Sequence, residues 1–173
     1  MSSSTSKDAA TEPVFFEQTW DLVYRHALGA TVGAVFDGLT EKKLLGRRCN
    51  SCERVLFPAR SFCDRCHEPT GDWQEVGPQG TLEMFTIVVE PFRGTAAEPP
   101  YVLVYVRLDG ADTAAVGYLQ GLDLSDVRAA AATLGTGTRV EVRFVDEPMG
   151  SMTDFWYVLA DDGESVGAGG SET

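Results

Sequence analysis

The sequence holds only two histidines, His26 and His67, and only three lysines, Lys7, Lys42 and Lys43, in 173 residues. Neither histidine sits beside a candidate nucleophile. No G-x-S-x-G elbow, P-loop or dinucleotide fingerprint occurs. A self-sufficient enzyme is therefore the less favoured class. No stretch approaches the run of about 20 apolar residues that a membrane-spanning helix needs. The opening MSSSTSKDAATEP has no hydrophobic stretch behind a basic start, so no secretory signal is expected. These absences lead to the expectation of a cytoplasmic protein, where paired cysteines bind metal more often than they form disulfides. Positive charge is scarce as well: 14 basic against 26 acidic residues give a net charge of −12. Such a balance repels phosphate backbones and anionic lipid, which argues against nucleic acid and membrane as partners.

What is present is an ordinary globular composition, 43% apolar, with its organisation written in changes of period. Residues 1–13 are rich in Ser, Thr and Ala and read as a disordered lead; residues 161–173 lack any large apolar side chain and read as a disordered tail. Between them, 14–43 read as a helical N-terminal arm. Phe16, Trp20, Val23 and Ala27 recur at helical spacing up to Gly29, and Val32, Val35, Phe36 and Leu39 mark a second, shorter helix. Both helices fit either core packing or a docking arm for a partner subunit.

Residues 44–72 form the cysteine segment, and 73–160 change to strand patterning. Strands are expected over Thr81–Glu90, Tyr101–Leu108, Thr113–Gln120, Arg139–Glu147 and Met152–Leu159, with a short helix over Asp126–Leu134 capped by Ser125. Five strands with a helix between the third and fourth is the element order of an OB-fold barrel. The fold class read from the sequence is mainly β: N-terminal helices, a rubredoxin-like zinc ribbon and a five-stranded OB-fold barrel with one short helix. A small sandwich has the same strand count.

The four cysteines, Cys49, Cys52, Cys63 and Cys66, follow C-x2-C-x10-C-x2-C. Each C-x2-C pair sets two sulfurs on one tight knuckle, and two facing knuckles complete a tetrahedron for zinc. Four protein thiolates leave no open position, so the centre is structural rather than catalytic. Iron in a rubredoxin-like site uses the same knuckles. Cys63-Asp64-Arg65-Cys66-His67 also spells the C-x-x-C-H of covalent haem attachment, but that reading leaves the first cysteine pair unexplained. The ten-residue spacer is expected to form a hairpin, with Val55–Phe57 outward, a turn at Pro58 and Arg60–Phe62 returning.

Five arginines, Arg47, Arg48, Arg54, Arg60 and Arg65, make this segment locally basic. They balance a zinc–tetrathiolate of net negative charge, or they serve phosphates or an acidic partner face; the two are compatible. Asp154 and Tyr157 in the last strand form an imaginable acid–base pair, though such strand positions mostly serve packing. The aromatics Phe85, Tyr101, Tyr105, Phe144, Trp156 and Tyr157 fit either core and interface or a base-stacking platform. The second option makes a single-stranded nucleic-acid-binding ribbon/OB module the alternative function.

The run LLGRRCNSC…LFPARSFCDRC, then WQEVGPQGTLEMFTIV, PPYVLVYVRLDG and GTRVEVRFV resembles the acyl-CoA-associated family of zinc-ribbon plus OB-fold proteins, a domain of unknown function of the thirty-five type. The resemblance rests on Leu44–Cys49, Pro58–Arg60, Trp73 and Gly77–Thr81, and covers about residues 30 to 160. It implies an accessory subunit that joins a thiolase-like or lipid-transfer-protein-type enzyme in a hetero-oligomer. That partner supplies the catalytic residues for aldol cleavage or acyl transfer on an acyl-CoA, steroid-derived side chains included. On this reading zinc is the structural cofactor, and Phe57, Arg60 and Arg65 are the candidate CoA contacts. Glu53 and His67 depart from the family pattern, standing where its knuckles commonly carry glycine, a residue that tolerates positive φ.

Overall fold

The computed structural model describes residues 24–91 and 97–160. The expected lead and tail, and most of the first expected helix, lie outside them. The described end of that helix, Tyr24–Leu28, is neither helix nor strand. The second expected helix is present as α1 (Ala30–Thr40), which buries Val35, Gly38 and Leu39.

Three short strands follow. β1 (Leu45–Cys49) lies between β2 (Val55–Leu56) and β3 (Thr70–Glu75), antiparallel to both. The expected hairpin within the spacer does not form. Val55 and Leu56 pair with Arg48 and Arg47 of β1. The returning Arg60–Phe62 segment pairs instead with the chain after the second knuckle: Phe62 bridges Pro69, and the Thr70 N–H donates to the Ser61 carbonyl at 3.1 Å. The expected division at 72/73 falls within β3, where Trp73 pairs with Arg47 of β1 in the ribbon sheet.

The remaining strands, β4 (Gln79–Val88), β5 (Tyr101–Leu108), β6 (Ala114–Leu119), β7 (Arg139–Phe144) and β8 (Phe155–Leu159), close into a barrel in the order β4-β5-β6-β8-β7. With α2 (Val127–Ala132) between β6 and β7, this is OB-fold topology. Strict alternation does the work on β5, where Val102, Val104 and Val106 point inward and are at most 1% exposed. Two expected boundaries move for local reasons. Asp126, not Ser125, caps α2: its carboxylate accepts from the Arg128 and Ala129 N–H groups at 2.9 and 3.0 Å. β8 begins at Phe155 rather than Met152, because the Asp154 N–H closes a turn onto the Ser151 carbonyl. The Asp154 carboxylate also takes the Met149 and Ser151 N–H groups.

Ribbon and barrel share a core. Leu39, Leu44, Val55 and Phe57 belong to the same buried cluster as Leu82, Val104, Val140 and Tyr157. The seam is also hydrogen-bonded. The turn between β5 and β6 lies against the free edge of β2, where the Asp112 carboxylate accepts the Val55 N–H and the Asp112 N–H donates to the Val55 carbonyl, both at 2.8 Å. The Thr113 hydroxyl accepts from the Phe57 N–H and donates to the Phe57 carbonyl, also at 2.8 Å. An exposed edge is a liability, and here the barrel's own turn satisfies it.

Candidate metal centre

The two knuckles are conformational copies. In the first, Cys49 Sγ accepts from the Ser51 and Cys52 N–H groups at 3.4 and 3.5 Å, and the Glu53 N–H donates to the Cys49 carbonyl at 3.1 Å. In the second, Cys63 Sγ accepts from the Arg65 N–H at 3.4 Å, and the His67 N–H donates to the Cys63 carbonyl at 3.1 Å. The fifth residue of each knuckle sits in the left-handed region, Glu53 at φ 60° and His67 at φ 59°. These are the two positions where the resemblance implied glycine, and the φ values fit that expectation. Left-handed backbone costs an ordinary residue roughly 1–2 kcal/mol. Glu53→Gly and His67→Gly are each expected to raise stability by about 0.5–1 kcal/mol, the gain reduced by glycine's greater unfolded-state freedom. Denaturant unfolding of the zinc-loaded protein checks this; a loss of stability would mean that the replaced side chain makes a contact worth more than the strain.

The four sulfurs lie within 4.8 Å of one another, the one such group among the described residues. Cys49 to Cys66 is 3.3 Å, and Cys52 stands 3.7 Å from both Cys63 and Cys66. A tetrahedral zinc with Zn–S near 2.3 Å has sulfur–sulfur edges of about 3.8 Å, so the donor set fits the ion. The protonation chemistry points the same way. The Cys52 and Ser51 N–H groups draw the Cys49 thiol down to about 6, and the Cys66 and Arg65 N–H groups lower Cys63. Cys66 is pushed up to about 12, chiefly by its hydrogen bond to Cys49. Four sulfurs this close cannot all be anions without a cation among them. Cys49 and Cys63, with Leu56, are almost fully buried and form a small core of their own. This shell is closed and leaves no position for a substrate.

The arginines separate by role. Arg47 is a clamp: its guanidinium donates to the Gly71 carbonyl at 2.7 and 2.9 Å and to the Thr70 carbonyl at 2.9 Å, and stacks 5.1 Å from the Trp73 ring centre. Arg48 donates to Gln74 Oε1 and the Glu53 carbonyl. Arg54 pairs with Asp64 at 2.8 Å. Arg60 and Arg65 are exposed, with no side-chain hydrogen bond or ion pair among the described residues. Arg60 borders an open cleft of about 390 Å³ between the start of α1 and the ribbon, lined also by Gly29, Thr31, Val32, Ala59 and Phe62. Phe57 does not accompany it. The Phe57 ring is 1% exposed inside the shared core, out of reach of a ligand, and the aromatic that faces the cleft is Phe62, 57% exposed. Sequence proximity to Arg60 could not distinguish the two phenylalanines.

The imagined Asp154–Tyr157 pair is not a pair. Asp154 holds loop N–H groups, while the Tyr157 hydroxyl is buried with no hydrogen-bond partner among the described residues. The six aromatics do not form one platform either: Tyr157 is buried in the barrel, Phe85 and Phe144 pack against the core, and Tyr105 faces outward.

Two family models match in tandem. The ChsH2 rubredoxin-like zinc ribbon domain matches residues 36–70, and the ChsH2 C-terminal OB-fold domain matches residues 73–145. The ribbon and the barrel are thus a ChsH2-type zinc-ribbon domain and a ChsH2-type OB-fold domain in tandem. Within curated proteins this chain is similar to a DUF35 domain-containing scaffold protein of Methanocaldococcus jannaschii, 30% identical over 69 residues, 38% of this chain and 48% of that protein. The chain thus matches about half the length of that relative. Among solved structures it resembles one titled Ltp2-ChsH2(DUF35) aldolase, with TM-score 0.57 and 21% identity over 78% of this chain and 97% of that one. It also resembles a DUF35-family protein of unknown function from Sulfolobus solfataricus, with TM-score 0.56 and 19% identity over 76% and 87%. At these identities the likeness to solved structures speaks for the fold alone. Among the described residues no helix is long and apolar enough to cross a membrane.

Proposed function

We propose that this chain is a cytoplasmic accessory subunit that binds a thiolase-like, lipid-transfer-protein-type aldolase or acyltransferase and helps hold its acyl-CoA substrate. Retro-aldol cleavage in steroid side-chain degradation is the favoured reaction. The observation that carries this reading is the tandem match to both ChsH2 domains, taken with the likeness in fold to the Ltp2-ChsH2(DUF35) aldolase. The chemistry of the chain agrees: a closed sulfur shell has no catalytic position, Asp154 is taken up by loop N–H groups, and the Tyr157 hydroxyl is buried inside the barrel. Catalysis belongs to the partner. Arg60, with no ion pair among the described residues and beside the apolar cleft and Phe62, suits a phosphate next to a pantetheine arm, and Arg65 on the second knuckle is the second candidate.

Co-expression with a thiolase-like subunit, followed by size-exclusion chromatography and assay on a steroid-derived acyl-CoA, tests the reading. The expected result is co-elution and cleavage that requires both chains, with Arg60→Ala raising KM about tenfold in an intact complex. Separate elution with partner activity unchanged would refute it.

A further inference from the structure

We propose that the outer face of β4, β5 and β6 is where the partner subunit docks, meeting it with an apolar patch framed by basic side chains; the proposal rests on the accessory-subunit reading above. The outside of the barrel has two characters. On β7 the outward positions are Arg139, Glu141 and Arg143, alternating with inward Val140 and Val142, as on an ordinary solvated strand. On β5 the same alternation turns Tyr101, Leu103 and Tyr105 outward. Strand register carries this character sideways. Tyr105 lies opposite Met84 on one side and Val116 on the other, and these three are 48, 64 and 49% exposed. One step along, Leu103 lies opposite Tyr118, whose ring centre is 5.7 Å from that of Tyr101. The charged side chains on this face, Arg107 and Glu83, bind each other at 2.7 Å and cancel. A contiguous, neutral, apolar patch on a chain of net charge −12 is the signature of a covered surface.

Charge decides what covers it. Two copies of this chain would bring −12 against −12, whereas a basic surface is attracted. The rim agrees: exposed Glu90 and Glu98 flank the end of the face where β4 stops and β5 starts, and neither makes an ion pair among the described residues. The occupant that fits is a different protein with an apolar centre and basic margin, which here is the thiolase-like subunit. Electrostatic complementarity of this kind also sets the rate of encounter.

The test uses the full chain and that co-expressed subunit, with affinity measured by titration calorimetry. Tyr105→Glu and Val116→Glu are expected to weaken binding tenfold or more, with zinc content and melting temperature unchanged because both side chains stand outside the core. Arg143→Glu, on the charged side, is expected to bind as the wild type does. Wild-type affinity is expected to fall several-fold when salt rises from about 0.05 to 0.5 M. If the wild type binds and Tyr105→Glu binds equally well, the docking face is elsewhere and this proposal fails while the accessory reading stands. If the wild type never binds, both fail. If the wild-type chain alone sediments as a dimer that Tyr105→Glu dissolves, the face belongs to a second copy and the proposal is overturned. A salt-independent affinity removes the basic margin from it.

Discussion

Cys63→Ser is expected to abolish stable zinc binding and to lower the stability of the chain by more than 4 kcal/mol, beyond what ordinary substitutions cost. In small domains that fold around zinc, the ion supplies about 10–16 kcal/mol of apparent folding energy. The cost here is smaller, since Val55 and Phe57 remain anchored to the barrel core. It is still large against a total of roughly 5–15 kcal/mol for a native domain. Cys63 is the demanding choice: it is fully buried, it accepts the Arg65 N–H, and its sulfur is 3.7 Å from that of Cys52. Serine offers a harder donor on a shorter bond, and it leaves three thiolates with a weakened cation. Metal content by mass spectrometry and urea unfolding give the two readouts. A variant that kept zinc, folded and assembled normally, yet lost the activity of its complex, would contradict a structural role for the centre.

The second large effect is inside the barrel, and its interest is a change of sign. Tyr157 heads the fully buried side chains, packs edge-on to Phe155 with ring centres 5.8 Å apart, and covers Gly117. Tyr157→Ala is expected to cost about 3–5 kcal/mol through lost burial and the cavity left behind. Tyr157→Phe keeps the ring and removes a hydroxyl that has no partner among the described residues, whose burial holds its ionisation well above the ordinary tyrosine range. An unsatisfied buried hydroxyl costs about 1–3 kcal/mol, so the phenylalanine variant is expected to be as stable as the parent or up to about 1 kcal/mol more so. Thermal and denaturant unfolding of both variants decide it. If Tyr157→Phe were destabilised by 1 kcal/mol or more, the hydroxyl would have a partner, such as an internal water, and the packing account would need revision.

Chemistry confined to a few neighbouring residues was legible in the sequence. The cysteine spacing announced two knuckles, and the positions of Glu53 and His67 announced left-handed backbone, because both follow from covalent geometry over five residues. Tyr101–Leu108 was legible to the residue, since alternation is a local signal that burial on one face reinforces. β1 and β3 were not. Leu45-Gly46-Arg47-Arg48-Cys49 and Thr70-Gly71-Asp72-Trp73-Gln74-Glu75 carry no alternating apolar pattern, and what holds them is each other and the Arg47 clamp across 24 residues. The spacer hairpin failed for the same reason. Val55 and Phe57 find their second set of backbone partners in Asp112 and Thr113, more than 50 positions away. Among the candidate ligand contacts, Arg60 reaches a cleft and Phe57 reaches the core, a distinction set by which way two adjacent backbone segments turn at Pro58.

The stitching of Asp112 and Thr113 onto the edge of β2 bears on how such a protein can be inherited. The ribbon and the barrel look like separable modules and match separate domain models, yet the ribbon's outer strand is finished by two residues that belong to the barrel. A ribbon exchanged alone between relatives would arrive with an open edge and a misfitted Phe57. Recombination that respects the apparent boundary would break the protein, and the two halves are constrained to change together.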